Sequence, residues 1–267
     1  MTWLSARPGV LWTVAIVLTI VSAAWQRVSG PTFPVRGQMT LGGETIPYRL
    51  ERTHAGAGDQ PVRIEAPDAS VTGEVRWRRY PSDDPWRTTA MRREGRWLAA
   101  GLPTQPHAGK IEYQVRLARG SESTVAPERV AITRFKGQIS LLIFAPHLTA
   151  MFLALLFGTR AGLAALAGHD FRRLTWWAVG CLVVGGFVLG PGVQKQAFDE
   201  WWAGVPYGWD LTDNKTLLAG VAWAIAAWRV HQGRGRKAVV TAAIVTLAVF
   251  AIPHSTWGSQ IDWRARP

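Results

Sequence analysis

Five residues at two predicted loop ends have the types that acid–base chemistry uses: Asp210, Asp213, Lys215, His254 and Ser255. Carboxylate, imidazole and hydroxyl groups held at one level could move a proton or hold a metal. The stretch carries no His-x-x-x-His spacing and no nucleophile elbow, so no metal site and no serine hydrolase is indicated. A structural role accounts for the same residues. Asp210 is a suitable N-cap, with Asp213 near the third helical position, where a carboxylate meets the positive end of a helix dipole. Asn214, Lys215 and Thr216 then complete a polar first turn.

The remaining reactive residue types are sparse. His147 follows Pro146 inside an apolar run, and a haem reading would pair it with His254. His147 falls about nine residues into its predicted span, hence ~13 Å below the boundary, whereas His254 is at the boundary. That offset makes a poor axial pair. His147 is still an intramembrane ionisable residue and worth testing as such. Cys181 is the single cysteine, which excludes an intramolecular disulfide and a thiolate zinc site. No cofactor and no metal is expected, and an enzyme is not the leading expectation.

Two Arg/Trp clusters suggest contact rather than catalysis: Arg76, Arg78 and Arg79 around Trp77, and Arg92, Arg93 and Arg96 beside Trp97. Their functional reading is a surface for anionic lipid, glycan or an acidic protein. Strand alternation alone predicts the same pattern, with a buried Trp on each strand and solvated Arg on the opposite face.

The elements that must position these residues fall into two populations. Mean hydropathy is only +0.04, but the average conceals long apolar runs at 8–25 and 138–253 flanking a polar, Arg-rich stretch at 26–137. Between Gln26 and Gly137 there are 18 Lys or Arg against 12 Asp or Glu, so about half of the formal net charge of +12 sits there. Much of the rest lies in short loops between apolar runs, which favours a topology signal and anionic lipid over nucleic acid.

The first run, Val10 to Trp25, reads as a retained anchor or a signal peptide; Ser22-Ala23-Ala24 resembles a peptidase site. Four further spans are expected at about 139–158, 174–191, 214–230 and 238–253. Arg160, Arg172 and Arg173 follow the second span, and Arg229, Arg234, Arg236 and Lys237 follow the fourth. The intervening loop holds Asp199, Glu200, Asp210 and Asp213 beside Lys195 and Lys215. Positive-inside bias then puts the N-terminus inside and both residues 26–137 and the C-terminus outside. Trp176, Trp177, Trp201, Trp202, Trp228, Trp257 and Trp263 read as aromatic belts at the membrane boundaries.

In the polar stretch, Ile111, Tyr113, Val115 and Leu117 alternate with polar residues, as do Val71, Gly73, Val75 and Trp77. Turn clusters separate such runs at β-sandwich spacing. Leu102-Pro103 through Tyr113 looks like the tyrosine corner of fibronectin type III and immunoglobulin-like domains.

The stretch Gly190 to Gln196, the segment Gly208-Trp209-Asp210-Leu211-Thr212-Asp213-Asn214-Lys215-Thr216 and the tail Ile252-Pro253-His254-Ser255 to Asp262 resemble a group of uncharacterised bacterial integral membrane proteins. The resemblance implies an extracytoplasmic β-domain joined to C-terminal helices, and no activity. The expected fold class is an α+β membrane protein: an immunoglobulin/fibronectin-like β-sandwich plus a small bundle of transmembrane helices. Expected boundaries are an anchor at 1–27, the β-sandwich at 28–137, four helices at 138–258 and an outer tail at 259–267. The expected role is a non-enzymatic scaffold, sensor or assembly component of the plasma (inner) membrane. Its partners would be the lipid bilayer and a membrane or periplasmic protein, with no nucleic acid. The alternatives are a membrane enzyme or small-ligand binder using the outer-face cluster, and a transport or redox component.

Overall fold

The computed structural model describes residues 7–254 and 256–265, and it is a mixed α+β chain in two compact units. One unit joins the N-terminal segment up to Pro31 with Ile139–Ser259; the other joins Thr32–Gln138 with the tail from Gln260 onward. Alternation of apolar and polar residues makes the second unit β, and apolar runs make the first helical.

The described residues of the β unit form ten strands in three sheets. A five-stranded sheet runs β3 (Thr53–Ala55), β10 (Glu122–Lys136), β9 (Lys110–Arg119), β5 (Thr72–Tyr80), β6 (Arg87–Ala90). A second runs β4 (Gln60–Glu65), β8 (Trp97–Leu102), β7 (Arg92–Glu94), and β1 (Val35–Leu41) pairs with β2 (Glu44–Leu50). All pairings are antiparallel except β3 with β10. The registers set Trp77 opposite Tyr113 and Val75 opposite Val115, so both alternating faces point the same way. Residues from all three sheets form one core: Leu41 and Leu50, Ile64 and Leu102, and the fully buried Ile111, Tyr113, Val115 and Leu117.

Tyr113 corrects one expectation. Its hydroxyl donates to the Glu51 carbonyl at 2.7 Å, on the segment between β2 and β3. A tyrosine corner would instead bond backbone a few residues upstream. The phenol is satisfied across the sheet edge, not within its own turn.

The tail belongs to the β unit rather than standing apart. Ile261 N–H donates to Ala108 O at 3.3 Å, Trp263 N–H to Pro81 O at 3.0 Å, and Lys110 Nζ to Gln260 Oε1 at 2.6 Å. Arg79 stacks 4.5 Å over the Trp263 ring, so this tryptophan packs on the β unit.

In the helical unit, α1 (Pro8–Ser29) starts with Pro at its first position, where the missing N–H costs nothing. It packs on the bundle: Trp25 Nε1 donates to Ala251 O at 3.0 Å, and Gln26 Nε2 bonds Phe250 O. Helix α2 (Leu141–Ala167) is capped by Ser140 and ends at Gly168 in the left-handed conformation, φ 78°. Next comes one continuous helix, α3 (Arg172–Leu182), a π-helical turn (Val183–Leu189) and α4 (Gly190–Phe198). The hairpin of α5 (Leu211–His231) and α6 (Arg236–Ala251) closes the unit.

Among the described residues, three helices are long and apolar enough to cross a membrane: Pro8–Ser29, Leu141–Ala167 and Arg172–Phe198. Arg160, expected in a loop, lies inside α2; it is 5% exposed and sits 5.3 Å over the Trp12 ring. The helix runs two turns past it because nothing before Gly168 stops it.

Candidate functional site

The first turn of α5 fastens two other segments of its unit. Asp210 is the N-cap: Oδ1 accepts from Thr212 N–H at 2.8 Å. Its Oδ2 accepts from Ser259 N–H at 2.7 Å and from Ser259 Oγ at 3.0 Å. Asp213 Oδ2 accepts from Ala203 N–H at 2.7 Å, and Asn214 Oδ1 from Val205 N–H at 2.8 Å. Lys215 Nζ donates to Ile252 O at 2.6 Å. The segment 203–205 is thus pinned from one side and the segment 252–259 from the other. Asp210, Asp213 and Lys215 are all buried, and each satisfies that burial through backbone partners.

His254 is exposed and lies within electrostatic reach of Lys215, His147 and Asp210. Four of the five expected cluster members therefore gather at one end of the helical unit, and the fifth, Ser255, lies outside the described residues. Geometry brings His147 nearer to this end than its sequence position suggested, because α2 starts at Leu141 and His147 is only six residues in. His147 Nδ1 is 2.9 Å from Gly185 O. A carbonyl only accepts, so Nδ1 carries a proton and Nε2 is the ring nitrogen left outside this bond. Gly185 stands in the π turn, and such turns leave room for extra contacts of this kind.

Sequence reasoning assigned no role to two residues at this end, although both lie in the Gly190 to Gln196 stretch. Gln194 is 9% exposed, and its Nε2 has no hydrogen-bond partner among the described residues. Gln196 Oε1 accepts from Ser140 N–H at 2.7 Å, tying α4 to the start of α2. Both belong to Gln194-Lys195-Gln196, a polar run inside a helix long enough to span, which was the available signal.

The β unit spends much of its arginine internally. Arg79 makes a two-pronged contact with Asp84, Nε to Oδ2 at 2.6 Å and Nη2 to Oδ1 at 2.9 Å, which holds the Asp84 carboxyl below the usual carboxylate range. Arg78 pairs with Glu112, and Arg96 with Glu65. Arg93 donates to the Ala66 and Asp68 carbonyls at 2.6 and 2.9 Å. Trp86 is the organiser that alternation did not reveal: Arg76 and Arg78 lie 5.0 and 4.8 Å from its ring centroid. Trp77 is buried as expected, but Trp97 is 40% exposed, since it is the first residue of β8, beside the turn from β7. Arg76 and Arg92 are exposed.

No protein-family model matches the chain, and neither a curated protein nor a solved structure matches it.

Proposed function

We propose that this protein is a multi-pass membrane scaffold or assembly component that presents an extracytoplasmic β-sandwich to a protein or envelope partner. The observation that carries this reading is the use made of the polar end of α5. Asp210, Asp213, Asn214 and Lys215 all hold neighbouring backbone in place, which is what a fixed platform needs and what a substrate site does not.

Support for the immunoglobulin/fibronectin-like assignment is the strand order. The sequence β10-β9-β5-β6 in one sheet and β4-β8-β7 in another, around one core, is the partition such sandwiches use, with β3 parallel to the last strand. Support for five spans is a parity argument. The tail from Gln260 packs on the β unit, so both lie on one side of any membrane, and the chain between them crosses an even number of times. Helices α2 and α3–α4 make two crossings, and α5 with α6, crossing as a hairpin, brings the number to four and keeps it even. With α1 as a retained fifth, the N-terminus lies opposite. The basic residues around Gly168 and Gly233 share one end, where Arg236 Nη2 reaches Leu166 O at 2.9 Å. Positive-inside bias supports a cytoplasmic placement of that end, in keeping with a plasma (inner) membrane protein. The partner-facing surface is built on the exposed Arg76 beside the Trp86 ring and on the exposed Arg92, with the Glu112-paired Arg78 half-buried against the same ring.

The second reading is a small-ligand or proton-transfer site at the same end. His147 and Gln194 favour it, the first with an Nε2 outside the Gly185 bond and the second with an unpartnered amide. Complementation of a deletion strain separates the two. Variants Asp213→Asn, Lys215→Gln, His254→Gln and His147→Gln are read beside the membrane abundance of each. A scaffold predicts complementation that follows abundance throughout the set. Lost complementation at normal abundance replaces the scaffold with a site.

A further inference from the structure

The hairpin of α5 and α6 carries a groove of about 740 Å³ that the scaffold role does not use. Its walls are one face of each helix: Leu218, Val221 and Ile225 follow helical spacing on α5, and Val245 faces them from α6. Leu218, Val221 and Ile225 are each about half exposed, which in water would be an unfavourable stripe. One end of the groove is different. Arg229, Arg234, Arg236 and Lys237 gather there, and no acidic side chain stands among the described lining residues.

Dimensions identify the occupant. From Leu218 to Arg229 is eleven residues, about 16 Å along the helix. Half the hydrocarbon thickness of a bilayer is about 15 Å. The groove therefore runs one leaflet deep, with the cations at headgroup level. The Gln232–Gly235 turn keeps them there: Gly233 N–H bonds Val230 O at 3.0 Å and Arg234 N–H bonds Arg229 O at 3.0 Å.

We infer that this groove binds one anionic glycerophospholipid, with an acyl chain along α5 and α6 and the phosphate among Arg229, Arg234 and Lys237. The inference rests on the membrane reading given above. Arg236 already donates to Leu166 O and contributes charge without being free to turn. The ligand class follows from charge and shape together. A zwitterionic lipid offers the same chain but cancels its phosphate charge, and free phosphate offers the charge with nothing for the apolar walls.

The experiment uses the full chain, purified in neutral detergent and titrated with phosphatidylglycerol or phosphatidylcholine of identical acyl chains, with retained lipid counted by native mass spectrometry. One phosphatidylglycerol retained at least tenfold in preference is expected. Each headgroup-level cation contributes about fivefold, so Arg229→Gln/Arg234→Gln/Lys237→Gln should abolish the preference. Val221→Trp, which fills the groove, should reduce retention of both lipids. Arg172→Gln/Arg173→Gln, cations outside the groove, should change neither. Equal loss in that control makes the effect diffuse surface charge and overturns the site. So does unchanged binding in Val221→Trp, or a lipid-free dimer closing over the groove. Variants are compared only where thermal unfolding in detergent matches the parent, and Ile225→Trp replaces Val221→Trp if the latter fails to fold. Alkaline carbonate extraction of native membranes tests the underlying reading separately. A chain that resists extraction but shows no lipid preference retains its membrane role and loses this site.

Discussion

Asp210 accepts three hydrogen bonds on two oxygens, and the donors come from two separate segments. As a plain N-cap it would exchange freely with Asn or Ser. The structure makes that exchange unequal. Asn has one acceptor oxygen, so either Thr212 N–H or Ser259 N–H would face an amide NH₂. Asp210→Asn is therefore expected to cost about 1–3 kcal/mol, the range for an unmatched buried donor, and to speed proteolysis around Thr256–Ser259. An unchanged unfolding midpoint would show that the Ser259 bonds do not hold the tail. On the β unit, Asp68 accepts from Ser70 N–H at 2.8 Å and Oγ at 2.7 Å, and from Arg119 Nη1 at 3.1 Å. The Ser70 bonds chiefly, with Arg119, lower its carboxyl to about 2. A depressed carboxylate stabilises the fold above its unfolded value of about 3.9 and ceases to as pH falls toward about 2. Unfolding midpoints measured from pH 5 to pH 2 should fall less steeply in Asp68→Asn than in the parent. Parallel slopes would mean that the Ser70 and Arg119 contacts are absent in solution.

Helix α2 is the element on which the bundle is built, touching α1, α3 and α6 along its length. Its small residues allow this. A Cβ added at Gly158 would stand 2.8 Å from Trp223 Cζ2, and one at Gly162 would stand 2.5 Å from Ala243 Cβ. Small residues four apart let helices close where lipid gives no hydrophobic drive between them. Trp223 completes the seam, with Nε1 donating to Thr246 Oγ1 at 2.8 Å in the buried interior. Gly162→Val should destabilise the bundle by about 1–3 kcal/mol through overpacking, read as the fraction still folded after heating in detergent. Gly180→Val is the control, because nothing lies within 4 Å of a Cβ there. Equal loss in both would mean that helix propensity, not α2–α6 contact, sets the cost.

At the scale of the whole chain, the helical unit is entered from the β unit at Ile139 and left for it again after Ser259. Parity then links every loop to every other. Reporter fusions after Gly137, Gly204 and Pro267 are expected outside, and after Gly168 and Gly233 inside. An outside signal at Gly233 would reduce the crossings between the two β-unit segments to two, leaving α5 and α6 on the surface. An inside signal at Gly204 would overturn the arrangement entirely.

Periodicity alone identified the strands around 71–77 and 111–117 and the long apolar helices, because a period of 2 or an unbroken apolar run is a local property of the chain. It also determined that Asp210 begins a helix, since capping depends on the next three residues. The tertiary structure decided what each polar group does beyond its own turn. Tyr113 reaches Glu51, Asp210 reaches Ser259, Lys215 reaches Ile252 and Trp263 lies under Arg79, partners 37 to 184 residues distant in sequence. A buried polar group must be paired, but its own neighbourhood does not say with what. Only the packed chain supplies the partner, and so only the packed chain shows the Asp210 cluster engaged in holding backbone.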